Sequence, residues 1–175
     1  MTTALKTDIR EDVKYKKFKH IVLTEEKKID EAVHIEELTG LHTSRISRTL
    51  YGKKGQYSAE TLMEASLQDL SVRSRMVEIR VQLALHADII ETAIKSISKY
   101  IYVEYLLNDP CYTTEGQRNN FISDFLARWN EDLRKYKSII EMADTFIKDI
   151  DQAGFNLRNM MDCLKLLSET KGKII

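Results

Sequence analysis

From Val72 onward the apolar residues recur in a strict alternation of four and three: Val72, Met76, Ile79, Leu83, His86, Ile90, Ala93, Ile97, Tyr100. A second row runs Trp129, Leu133, Tyr136, Ile140, Ala143, Ile147, Ile150, Gly154, Leu157, Met161, Leu164. The first row sustains four heptads and the second five. An α-helix turns every 3.6 residues, so a row held at 3.5 keeps facing its partner only if the helices supercoil left-handedly. A helix lying on a broad globular core would drift off that spacing. The two rows therefore predict two long helices, each packed along its whole length against another helix.

Between the rows stands Leu107-Asn108-Asp109-Pro110-Cys111-Tyr112-Thr113-Thr114-Glu115-Gly116. Pro disfavours a helical residue before it, and Gly116 permits a reversal. Two helices of roughly 45 residues would each be roughly 70 Å long, and a long antiparallel hairpin joins them most simply. Ser58, followed by Glu60, is the expected N-cap of the first. The expectation is an all-α protein, a long coiled-coil-like hairpin over 57–175 with a small helical region over 1–56. Composition agrees: one Pro and 6 Gly are too few for an all-β chain, and 43% hydrophobic with 31% charged residues argues against disorder. No apolar run is long enough to span a membrane and no leader is visible, so a cytoplasmic protein is expected. Cys111 and Cys163 form no disulfide framework.

A two-helix hairpin buries one stripe per helix, yet Val77, Val81, Leu85, Ile89, Ile94, Ile101, Ile139 and Phe146 lie off the rows. They need further partners. The favoured source is other subunits, with the seam residues Leu83, Ile90, Ile97, Tyr136, Ile140, Ile147, Gly154 and Leu157 as the oligomerisation set. Gly154 would permit close helix approach. The alternative is a monomeric bundle with the N-terminal third packed on the hairpin.

Residues 1–57 carry 12 Lys and Arg against 9 Asp and Glu, within a chain of net charge +0. Short helices are expected at about 7–23 and about 24–34, the second capped by Thr24. No phosphate loop, nucleophile elbow, metal-ligand spacing or histidine pair occurs, so no enzyme, metal or cofactor is expected. His86, on a seam, reads best as a core histidine satisfied by a hydrogen bond. Cations are the better lead. Lys14-Tyr15-Lys16-Lys17-Phe18-Lys19-His20 interleaves positive charge with flat rings, as phosphate neutralisation and base stacking require. Equally, Tyr15, Phe18 and Val22 share one helix face, leaving the lysines merely solvated. Arg45, Arg48, Lys53 and Lys54 form a second basic cluster with no acid between 38 and 59. Residues 35–50 also resemble a helix-turn-helix of the lactose-repressor type, with Gly40 opening the turn, Leu41 and Ile46 packing, and Thr43, Ser44, Arg45 and Arg48 facing the duplex.

The region after Ser58 resembles the UvsY-like recombination mediators of T-even-type phages. Tyr136-Lys137-Ser138-Ile139-Ile140-Glu141, Ile147-Lys148, Ile150 and Gly154-Phe155-Asn156-Leu157-Arg158-Asn159 carry the resemblance, with a looser stretch at Ser66-Leu67, Leu70, Ser74-Arg75 and Glu78-Ile79. In that family a Lys/Arg-rich segment ending in paired tyrosines binds single strands. Here Lys95, Lys99, Tyr100 and Tyr102 stand in its place. The resemblance implies a non-enzymatic homo-oligomer that binds single-stranded DNA and helps a recombinase displace a single-strand-binding protein. Two alternatives remain: a helix-turn-helix protein binding duplex DNA, as in repressors or small terminases, and a coiled-coil scaffold that binds no nucleic acid.

Overall fold

The computed structural model describes residues 2–50 and 59–171, with side chains over 4–45 and 60–170. Among them every regular element is helical: α1 (Thr2–Glu11), α2 (Val13–Glu26), α3 (Glu31–Leu50), α4 (Ala59–Ile101), a π-helical turn (Tyr102–Leu106), α5 (Glu115–Phe125) and α6 (Ala127–Lys171). The all-α expectation and the two long helices stand, α4 at 43 residues and α6 at 45. The expected cap Ser58 and the expected boundary at 56 lie outside the described residues. The chain divides into two compact units, Met1–Glu31 with Gln82–Ile139, and Ala32–Val81 with Ile140–Ile175. Each is therefore discontinuous in sequence, unlike the division at 56.

The first unit is built around the N-terminal helices. Asp12 separates α1 from α2 in extended conformation, and its carboxylate accepts from the backbone N–H of Lys14 at 2.6 Å and of Tyr15 at 3.4 Å. The N-cap is thus Asp12, while Thr24, expected to cap, sits inside α2 and donates its hydroxyl to the His20 carbonyl. Tyr15, Phe18 and Val22 are buried. Phe18 meets Trp129 edge-on at 5.8 Å, and Tyr15 lies 5.3 Å from Phe125. Such pairs add modestly to the burial of their large apolar area. The off-seam residues Ile94, Ile101 and Ile139 are buried within this same unit. His86 is satisfied as expected: its Nδ1 lies 2.6 Å from Glu25 Oε2.

The reversal is made by residues 107–114 and by α5, not at Gly116, which falls in the first turn of α5. Thr114 and Gln117 form a capping box there. Arg118 ties the connection down, donating to the carbonyls of Tyr112 at 2.9 Å and Leu107 at 3.2 Å.

In the second unit α3 lies with the early part of α4 and the later part of α6. Arg73 pairs with Asp151 at 2.6 Å and Arg80 with Asp144 at 3.0 Å. Seven residues forward on α4 is seven backward on α6, the signature of antiparallel helices in heptad register. The helix-turn-helix expectation fails here. α3 runs unbroken through Gly40, because Leu38, fully buried, and Arg45 anchor it on both sides. Packing outweighs the roughly 1 kcal/mol that a helical glycine costs.

Candidate nucleic-acid interface

The structure sorts the expected cationic residues into three groups. Lys14, Lys16, Lys17 and Lys19 of α2 and Lys95 and Lys99 of α4 are all exposed, and all belong to the first unit. Arg45 is only 8% exposed, with Nε 3.0 Å from Asp69 Oδ1 and Nη2 donating to the Asp149 carbonyl at 3.2 Å. A guanidinium spent on a buried ion pair and a carbonyl is a structural group, so Arg45 is corrected from phosphate contact to core. The side chain of Arg48, and Lys53 and Lys54 altogether, lie outside the described residues.

The first group is brought together by Asp12. Its carboxylate accepts from the Tyr105 hydroxyl at 2.8 Å and the Tyr100 hydroxyl at 3.0 Å, besides capping α2. Burial works against the Asp12 charge, but these hydrogen bonds prevail and hold its carboxyl below the usual aspartate range. Conversely, burial and the bond to Asp12 push the Tyr105 phenol up to about 12. The start of α2 is thereby fastened to the end of α4. The Lys14 ammonium lies 4.0 Å from the centre of the Tyr100 ring, one residue beyond Lys99.

Not every lysine in the group is equally available. Lys16 pairs with Glu11 at 3.3 Å in solvent, where such a pair is worth little, and Lys95 pairs at 2.7 Å with the half-buried Glu91. Glu91 is shared with Lys137 at 2.6 Å, and hydrogen bonds first from Lys137 and then from Lys95 bring its carboxyl down to about 2. Among the described residues Lys17, Lys19 and Lys99 enter no ion pair.

Stacking does not fit the same surface. Tyr15 and Phe18 are 8% and 4% exposed, so the rings between the lysines face the core rather than bases. One face of Tyr100 is taken by Lys14 and one side of Tyr102 by the Arg118 guanidinium at 5.7 Å. Of the two readings of the α2 segment, the amphipathic one is what the structure contains. Between α2 and α4 runs a groove of 620 Å³ with Phe18, Ile21, Leu85, Ile89 and Ile97 in its lining and Lys14, Lys17 and Asp88 as its charged members.

Two features escaped sequence reasoning. Lys6 and Arg10 extend the cationic set onto α1, over the rings of Phe121 at 5.8 Å and Phe125 at 5.9 Å. Their i, i+4 spacing was a usable signal. The capping role of Asp12 was also legible, as an Asp directly ahead of an amphipathic run.

The expected oligomerisation residues are placed differently from expectation. Leu83, Ile90, Ile97, Tyr136 and Leu157 are buried within a single chain, and Ile140 and Ile147 are half-buried. The physical reason is that one chain supplies its own partner helices along most of both seams, Met161 near the end of the second being exposed. At Gly154 a Cβ would meet nothing within 4 Å, so no close helix approach occurs there. Among the described residues no cluster of metal-ligating side chains is present, and no helix is long and apolar enough to cross a membrane. No protein-family model, curated protein or solved structure matches the chain.

Proposed function

We propose that the protein is a non-enzymatic helical factor that binds single-stranded nucleic acid through its phosphates, in the manner that the resemblance to recombination mediators implies. One observation carries the reading. Lysines chosen from two regions about 80 residues apart, Lys14 to Lys19 and Lys95 with Lys99, fall in one compact unit, where Lys14 and Tyr100 are in contact. The mode is electrostatic tracking of the backbone, since the rings that would stack on bases are packed in the core. Sequence preference should accordingly be slight. A recombinase and a single-strand-binding protein are the partners implied by the resemblance. With α3 continuous through Gly40, the turn on which the duplex-reading alternative depended is gone. A scaffold without nucleic acid is the remaining alternative, favoured by the exposed apolar residues of α4.

The test is fluorescence anisotropy on a labelled single strand across a salt series. Replacing Lys16, Lys19 and Lys99 with Gln should weaken binding and flatten the log–log salt slope by about 2, because each lost single-strand phosphate contact contributes about 0.7. An unchanged slope would remove these lysines from the interface. A wild-type chain that binds no strand even at low salt would leave the scaffold reading.

A further inference from the structure

α4 carries a third apolar row that belongs to neither seam. Met63, Leu67 and Leu70 are 58%, 60% and 60% exposed, spaced four and three apart on one helix face. Their flanks are acidic, with Glu60 and Glu64 both exposed. Apolar residues so exposed, aligned and charge-flanked are unusual on a helix with no partner on that side. The groove between α2 and α4 has the opposite character. Leu85 and Ile89 repeat the four-residue spacing along one wall, Thr92 and Ser96 continue it with small side chains, and Ile21 faces them from α2. Its rim bears Lys14 and Lys17, against Asp88 alone.

We infer that this groove receives a second copy of the chain, whose Met63, Leu67 and Leu70 fill it while its Glu60 and Glu64 face Lys14 and Lys17. The shapes agree: a ridge stepped by four and three enters a wall stepped the same way, as in knobs-into-holes packing. The charges agree as well. Lys14 lies at the Tyr100 end of the groove, so the incoming α4 runs antiparallel, which brings Glu60 and Glu64 to the lysine end. Self-association thus uses the solvent side of α4, whereas most of both seams is consumed inside each chain. The inference does not rest on nucleic-acid binding.

Sedimentation velocity across a concentration series, with no nucleic acid present, tests it. The wild-type chain should self-associate. Glu60→Lys with Glu64→Lys, or Lys14→Glu with Lys17→Glu, should each weaken association about tenfold or more, because like charges then face each other. Carrying all four changes in one chain, or mixing the two charge-reversed proteins, should restore it. Leu67→Asn, at an exposed position that leaves every charge in place, should weaken association without lowering helicity by circular dichroism. A wild-type chain that stays monomeric throughout would overturn the inference and assign the groove to a different protein. Association insensitive to the reversals, or not restored by their combination, would overturn it too. Neither outcome touches the phosphate-binding reading, whose test uses Lys16, Lys19 and Lys99.

Discussion

Gly154 and Gly40 both stand inside helices, and a Cβ at either would meet no atom within 4 Å. With open space and helical backbone, the entropic cost of glycine has no offset. Gly154→Ala is therefore expected to raise stability by about 1 kcal/mol in denaturant unfolding, and Gly40→Ala by a similar amount. A loss of stability at either would mean that the side chain meets a neighbour after all. Glu26 is the converse case, a side chain in a place that does not suit it. Its Oε1 is buried without a hydrogen bond, and Arg128 comes no closer than 3.9 Å. Burial first, and then the charge of Asp132, push its carboxyl above the usual glutamate range. The folded state consequently holds this proton more tightly than the unfolded chain does. Its favourable contribution is complete below the ordinary glutamate pKa and is lost as pH rises through the raised value. Glu26→Gln should raise the melting temperature at neutral pH, and the gain should disappear in acid. A gain that persisted in acid would trace to packing instead. Residue-level reading of the sequence identified the hydrogen-bonded state of His86 but not its partner, Glu25, which lies 61 positions away. It missed Asp12, whose cap was local but whose links to Tyr100 and Tyr105 span about 90 positions.

At the scale of elements, periodicity was the reliable guide and punctuation was not. The rows from Val72 and Trp129 became α4 and α6 because a repeat sustained for many turns averages over individual propensities. Gly40 and Thr24 misled, since each is a weak local signal that a well-packed helix overrides. Arg45 shows how packing changes the meaning of a charge. Within a run free of acids it reads as a phosphate ligand; in the fold it pairs with Asp69, itself only 5% exposed. Breaking such a pair leaves an uncompensated buried charge. Arg45→Met should cost about 3–5 kcal/mol, whereas Arg45→Met combined with Asp69→Leu should recover most of it. Equal losses for the single and double variants, by urea unfolding, would show that Asp69 does not depend on Arg45. The α2 helix follows the same logic: its aromatics alternate with lysines because a buried stripe and a solvated face share one helix, not because the rings await bases.

For the whole molecule, a net charge of +0 means that the proposed attraction to nucleic acid has to come from local clusters. Binding should then be weak at physiological salt for one chain and gain strength only when several copies engage one strand. A variant held monomeric by Leu67→Asn, which leaves every charge in place, should bind a long single strand less tightly than wild type, yet bind a strand long enough for one copy equally well. Equal affinity on both lengths would separate assembly from strand binding. What the sequence by itself determined is the helical class, the two long helices and their seams, and the absence of a local catalytic motif. Each follows from short-range spacing, which survives any tertiary arrangement. Only the tertiary structure decided what the seams face, that Arg45 is core while Lys14, Lys16, Lys17, Lys19, Lys95 and Lys99 are surface, and that α3 does not turn at Gly40. Those outcomes depend on which distant segments meet. The chain's own helices cover most of both seams, a competition between partners that no local pattern encodes.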